Sequence, residues 1–341
     1  MLAADRPDRR NSKVLAIDAG GGMRHLQRAD LAKQFGPDDL VIANDAATMP
    51  ASLHGTHLES GAAIEIRLAA WIDPRDFTQF VAVAFGEGDY RIATEDRAAP
   101  PLMSLGDHLI LGPLEVVVDR LLDHPRLLVL RFLGDHATVL AGLARHGRPI
   151  QYAHVSAPVA LGDVWTSLAA APIAFEAPSA GFVLDWRLLE TWRQRQIHLA
   201  TLTHAAGISS TGDPHLDRRL PFEEPYIIPE NTRALINRTK SRGRRITAIG
   251  TTVVRALEAA ANADFAVEAG PGVARERIGP ETRLCVVDTI LTGIHQPGDS
   301  HFELLQAFVD KVVLDRAVAT LINHDYRAHE FGDAMLIERK L

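Results

Sequence analysis

The chain has 341 residues, 47% of them apolar and 23% charged, with a formal net charge of −7. That length suits two domains rather than one core, and the composition excludes a disordered or low-complexity chain. The acidic balance argues against non-specific coating of nucleic acid. No stretch approaches the roughly 18 apolar residues of a membrane span, and the charged N-terminus MLAADRPDRRNSKV lacks the apolar centre of a secretion signal, so a cytoplasmic protein without a membrane partner is expected. The single cysteine, Cys285, lies in the apolar run LCVVDTIL. It reads as a buried thiol and rules out disulfides within the chain and zinc sites of the Cys-cluster type.

In chain order, VLAID (14–18) and LVIA (40–43) are short buried strands with a helical stretch around 28–35 between them. From about 64 to 132 the pattern changes to five closely spaced β-type runs, EIRLAAWI, FTQFVAVAF, HLILG, LEVVVDRLL and RLLVLRF. Such spacing with few helical signals indicates a small all-β unit, most simply a barrel. From about 160 the texture is αβ. DWRLLETWRQRQ is an Asp-capped helix, IHLATLTHAA a strand, TRALINRTKSR a helix, RITAIG a strand and TTVVRALEAAANA a helix. LCVVDTILT follows as a buried strand, and HFELLQAFVDKVVLDRAVATLI as one long helix with an apolar face. The expected fold class is therefore α/β, a larger α/β domain (1–56 and 151–341) with an inserted, barrel-like all-β domain (57–150).

Three segments carry chemical promise. In AIGTTVVRALE a buried strand ends in Gly250, the hydroxyls of Thr251 and Thr252 follow, and a helix begins. Such a helix start suits a carboxylate or phosphate, and Arg255 one turn later offers a second anion contact. An ordinary Thr cap on a βα unit is the competing reading. In TGIHQPGDS, His295 sits in a Gly/Pro-framed loop at a strand end, where α/β proteins bind ligands and where an imidazole can act as acid or base. In YRAHEFGDAMLI, a charged approach meets the turn Gly332-Asp333 before a short apolar strand.

Weaker candidates are Asn44-Asp45 at a strand end, the tight loop Pro178-Ser179-Ala180-Gly181, and His204 closing a strand. Arg238, Lys240, Arg242, Arg244 and Arg245 put five cations into eight residues, either a solvated helix end or a phosphate-contacting patch beside the site. The fifteen histidines show no HExxH and no metal-ligand spacing, and neither a P-loop, a GxGxxG nor a Gly-x-Ser-x-Gly elbow occurs.

Taken together, NDAATMPASL, APSAGFVL, THAAGIS, AIGTTVVRALE, TGIHQPGDS and YRAHEFGDAML resemble, in the same order, the NDTRVIPARL, APTAGLHF, LHVG-x-GTF, AVGTT-x-x-R-x-LE, TNFHLP-x-ST and YRF-x-SYGDAML segments of the S-adenosylmethionine:tRNA ribosyltransferase-isomerases of queuosine biosynthesis. The resemblance runs from about residue 40 to the end except across the β region. It implies an α/β domain with an inserted barrel. It also implies transfer of the ribosyl part of S-adenosylmethionine, the co-substrate, onto an aminomethyl-deazaguanine base in tRNA, without a metal, giving epoxyqueuosine, adenine and methionine.

Under this resemblance Gly250, Thr251, Thr252, Arg255, Ser179 and Gly181 hold the co-substrate. His295, Asp333 and then His204 handle protons or orient polar groups. Asn44, Asp45, Arg327, Arg242 and Arg244 meet the tRNA substrate, with the 238–245 cluster as its patch, and a monomer is favoured. The departures fall on substrate handling. The Thr-Arg after Asn-Asp is Ala46-Ala47, a later Arg is Ser52, the His of GLHF is Val183, and Ala328, His329 and Glu330 replace the aromatic-Ser approach. Three function classes stay open: the family reaction on tRNA, an S-adenosylmethionine-dependent transferase with another acceptor, and a non-catalytic ligand-binding relative.

Overall fold

The computed structural model describes residues 1–4 and 12–340, so most of the charged N-terminal stretch lies outside the described residues. Strands β1 (Lys13–Ile17), β2 (Met23–Gln27), β3 (Leu40–Asn44) and β4 (Ala46–Thr48) open the chain. Six strands follow, β5 (Ser52–His57), β6 (Ala63–Trp71), β7 (Gln79–Phe85), β8 (His108–Leu111), β9 (Leu114–Leu121) and β10 (Leu127–Phe132), and then helix α1 (His136–His146). The remainder alternates: β11 (Ala171–Ala174), α2 (Trp186–Gln194), β12 (His198–His204), α3 (Pro214–Asp217), β13 (Glu224–Ile228), α4 (Glu230–Ser241), β14 (Ile246–Ile249) and α5 (Thr251–Ala259). It ends with β15 (Gly270–Ala274), β16 (Thr289–Gly293), α6 (Ser300–Leu305), α7 (Lys311–Asn323) and β17 (Ala334–Glu338).

Strands β5 to β10 close into an antiparallel barrel in the order β10-β7-β6-β5-β8-β9. All five β-type runs of the sequence are barrel strands, and the sixth is β5, SLHGTH, whose polar composition gives no strand signal although it pairs with both β6 and β8. The division at residue 57 is thereby corrected: β5 belongs to the barrel, and the inserted segment begins at Ser52. Its entry and exit are paired, Ser52 N–H donating to Arg148 O at 2.8 Å and Arg148 N–H to Ser52 O at 2.9 Å. The barrel interior is apolar, with Phe80 fully buried among Trp71, Phe132 and Phe175 at ring separations of 5.0, 5.5 and 6.0 Å.

The other domain is built on a nine-stranded sheet, β15-β13-β12-β3-β14-β16-β17-β1-β2. Its centre, β12-β3-β14-β16, is parallel, as helical crossovers require. β13 and β17 run antiparallel to it on either side. The chain therefore leaves β3, β12, β14 and β16, and enters β13 and β17, at one edge of the sheet.

The expected Asp cap of α2 is present, Asp185 Oδ1 accepting from Leu188 N–H at 2.8 Å. Two other expectations are corrected. The long helix near the C-terminus is two, α6 and α7, because Phe308 and Val309 turn inward to the core and Asp310 starts a new helix in extended conformation. Cys285 is half-buried rather than buried, since regular strand pairing begins only at Thr289. Among the described residues no helix is long and apolar enough to cross a membrane.

Removing the Phe80 ring leaves a cavity that its neighbours can only partly fill. Phe80→Ala should therefore destabilise the protein by about 3–5 kcal/mol, read from urea denaturation. A loss below about 1 kcal/mol would mean that the barrel is not packed as described.

Candidate active site

A cleft of about 1050 Å³ lies at the edge where the parallel strands end, between the sheet and the barrel side of the molecule. Open α/β sheets bind ligands at this edge. Its floor is the Gly250-Thr251-Thr252 turn and the Thr292–His295 strand end, and its walls come from 150–155, 176–180, 206–210 and 329–331. The turn needs glycine, because Gly250 has φ +94° and an added Cβ would meet that of Ala180 at 3.3 Å. Among the described residues no side chain caps α5, so its first-turn N–H groups are open to an anionic ligand.

Among the described residues seven carboxylates and three arginines line the cleft, a balance that favours a cation. Four histidines join them, His154, His295, His301 and His329. His295 Nε2 lies 3.0 Å from Thr292 Oγ1. Burial, then the neighbouring His301 and His329, hold the His295 pKa well below its ordinary value, so the ring is a neutral imidazole. His301 is lowered to about 4 by burial and then by Arg255. On the opposite wall Tyr152 Oη donates to Glu176 Oε1 at 2.5 Å, and Ser209 N–H donates to the same oxygen at 3.0 Å. Burial raises both the Glu176 carboxyl and the Tyr152 phenol. Burial also pushes Glu330 up, but the hydrogen bond and charge of His154 outweigh it and leave Glu330 below its usual range.

The cleft thus collects Ser179, Gly250, Thr251, Thr252, Arg255 and His295 from the sequence-derived candidates. Arg255 is not an open anion contact, however: its guanidinium is paired with buried Glu224 and donates to Ala274 O at 3.0 Å. Gly181 lies behind the wall, where an added Cβ would sit 2.9 Å from Thr166 Cγ2.

The remaining candidates do not line the cleft. Asp333 sews backbone together, accepting from Lys13 N–H at 2.6 Å and Arg327 N–H at 2.8 Å, and the Arg327 side chain is exposed. Asn44 ties two strand ends, accepting from His204 N–H at 2.9 Å and donating to His204 O at 2.9 Å. Asp45 accepts from Thr203 Oγ1 at 2.6 Å. His204 is fully buried 3.5 Å from Glu224, with neither ring nitrogen hydrogen-bonded. Arg242 and Arg244 precede β14, whereas the cleft lies past its other end. Four strand residues, about 13 Å, separate the basic cluster from the site, so the two are not neighbours. Within that cluster Arg245 is already paired with Asp39 and Glu338.

Tyr152, His154, Glu176, His301 and Glu330 gave no chemical signal in the sequence except at Glu330, which stands where the resembled pattern has Ser. They come from segments far apart in the chain and meet only in the fold.

Fold and cleft define an α/β protein with an inserted barrel, whose candidate site is acid-lined among the described residues and sits at the ends of its parallel strands. The chain belongs to the queuosine biosynthesis protein family, that of the S-adenosylmethionine:tRNA ribosyltransferase-isomerases, and the family match spans residues 2–337. An S-adenosylmethionine:tRNA ribosyltransferase-isomerase of Thermus thermophilus is 31% identical over 96% of this chain and 92% of its own length. That of Thiobacillus denitrificans is 31% identical over 99% and 94%. The crystal structure of the S-adenosylmethionine tRNA ribosyltransferase from Thermotoga maritima has the same fold, with a TM-score of 0.52 at 22% identity over 98% of this chain and 96% of that one.

Two predictions separate structural from chemical roles. Burial, then the Arg255 charge, lower the His204 pKa from 6.5 to about 3. The unfolded chain thus binds a proton that the folded one refuses between those values, and stability falls as pH drops from 6.5 towards 3. His204→Leu should remove about 2 kcal/mol of the loss between pH 7 and pH 5 seen by urea denaturation; parallel profiles for variant and parent would refute this. Asp333→Ala strands two backbone donors and should cost about 1–3 kcal/mol in the same measurement, and an unchanged midpoint would contradict its structural role.

Proposed function

We propose that this chain transfers and isomerises the ribosyl part of S-adenosylmethionine onto an aminomethyl-deazaguanine base in tRNA, in the cytoplasm, releasing adenine and methionine. One observation carries the reading: in a member of this family, the Gly250-Thr251-Thr252 turn and the His295 loop meet in a single acid-lined cleft. The sulfonium and ammonium of the co-substrate and the protonated amine of the acceptor are all cations, and the lining carboxylates favour them.

Within this reading the α5 N-terminus and the hydroxyls of Thr251 and Thr252 take the methionine carboxylate. Arg255 acts through Glu224, fixing the helix rather than touching the ligand. His295, neutral and oriented by Thr292, is the general base for the acidified proton beside the sulfonium. Glu176, whose raised pKa favours the protonated form, is the acid that assists adenine departure, and Tyr152 orients it. Arg218 and Arg277 on the cleft lining are the cations within reach of a tRNA phosphate; the 238–245 cluster is given no part.

A second reading, transfer to a different amine, is favoured by Ala47 and Ser52 standing where the resembled pattern carries arginines. Incubation with S-adenosylmethionine, with and without precursor-bearing tRNA, separates the two by adenine release. Release only with tRNA supports the first reading, release with a small amine instead supports the second, and no release with either refutes both. His295→Ala should lower tRNA-dependent release by about 10²-fold or more, the scale of a lost general base, with folding intact by circular dichroism. Turnover within about threefold of the parent would remove His295 from the mechanism.

A further inference from the structure

We infer that His154, His329 and Glu330 form a binding site for a divalent transition cation of the zinc type on the wall of the cleft. The three side chains each offer one ligand atom, and these atoms all lie within 4.8 Å of one another. His154 Nε2 is already 2.8 Å from Glu330 Oε2. Zinc held at about 2.0–2.2 Å by nitrogen and oxygen in tetrahedral geometry sets its ligand atoms roughly 3.3 Å apart, so closing the set needs movements of about 1 Å. All three residues line the cleft, so the group is accessible to an ion entering it.

One ring must turn. The His154 and His329 imidazoles lie stacked with centroids 4.4 Å apart and 24° between planes, so their nitrogens do not yet converge. His329 is the ring able to swing, because among the described residues its Nε2 meets only the Gln296 amide, at 3.2 Å. An amide flip of Gln296 then offers a carbonyl oxygen as the fourth ligand in place of water. His329 also holds φ at +69°, a left-handed backbone that a non-glycine residue keeps only when its surroundings demand it, and such residues gather at binding sites.

Two imidazoles with one carboxylate select zinc, cobalt or nickel over magnesium and calcium, which want oxygen donors. The other three-residue group capable of holding a metal among the described residues, His57, Glu59 and Asp107 in the barrel, differs: it offers one imidazole and two carboxylates, a poorer donor set for zinc, and its Asp107 Oδ2 already accepts from Ser104 N–H at 2.6 Å. It serves as an internal control. The inferred site is independent of the proton transfers assigned above, and its readout is binding rather than turnover.

The test is calorimetric titration of the full chain, freed of metal with chelator and then dialysed, with zinc chloride near neutral pH. One equivalent should bind, and 5 mM magnesium should not compete. Glu330→Gln keeps the shape and the hydrogen bond to His154 but loses the anionic ligand. It and His154→Ala should each weaken that equivalent at least tenfold, and His57→Ala should leave it unchanged. Circular dichroism and urea midpoints confirm that each variant is folded. Absence of binding, equal affinity in the parent and both cleft variants, or loss of the site in His57→Ala would each overturn the inference.

Discussion

The Glu224 carboxylate is where this architecture is tied. It stands at the start of β13 and accepts the Gly207 N–H at 2.7 Å through one oxygen, while the other is paired with Arg255 from α5. Three stretches of chain that would otherwise be independent, the loop after β12, β13 and the helix behind the Gly-Thr-Thr turn, share this one buried anion. Burial lowers Arg255 to about 10, which leaves it charged at neutral pH. Removing one partner of such a pair costs about 3–5 kcal/mol because the other charge stays buried. The geometry of the cleft floor therefore depends on a pair whose charges are spent on each other. His204, packed beside it as a neutral ring, is held so by its burial and then by the same arginine.

Charge is distributed with a purpose that net charge alone conceals. Carboxylates gather inside the cleft, and the densest basic cluster is at the far edge of the sheet, where Arg242 faces Asp38 and Arg245 joins Asp39 to Glu338. Cationic small groups are drawn to one edge, and the basic cluster at the other lends the nucleic-acid backbone no attraction at the cleft. A substrate whose reacting group is an amine on a polyanion must present its base inward and its phosphates outward at that mouth.

The fold was legible where local pattern and tertiary role agree. Five barrel strands announce themselves as apolar runs, and the αβ alternation follows from strand, glycine and helix signals in order. β5 was hidden because His54, Gly55, Thr56 and His57 sit in a strand that the sequence alone gives no reason to pair. The single long helix was misread because buried Phe308 and Val309 continue the apolar pattern through the break. In the site, Gly250 to Thr252 and His295 were legible because each stands at a strand end, where topology alone delivers a side chain to the ligand edge. Asp333 shared that appearance but its oxygens are spent on backbone donors, a distinction no residue pattern encodes. Glu176, Tyr152 and His154 were invisible because their meaning lies in contacts across the chain.

The paired backbone at Ser52 and Arg148 has a consequence for how the protein can be taken apart. Hydrogen-bonded partners in an antiparallel pair have Cα atoms about 5.5 Å apart, so the whole barrel and α1 leave and rejoin the chain through a single narrow gate. A linker of two or three residues would span that gap, and the nine-stranded sheet would keep every one of its strand pairings. What it would lose is the part of the cleft lining supplied by Ala93, Thr94 and Glu95, together with the barrel's packing against Phe175, Ala205, Ile208 and Leu216. The insert is thus separable in chain path alone: its apolar core continues into the segments that flank the cleft, so barrel and cavity wall stand or fall together.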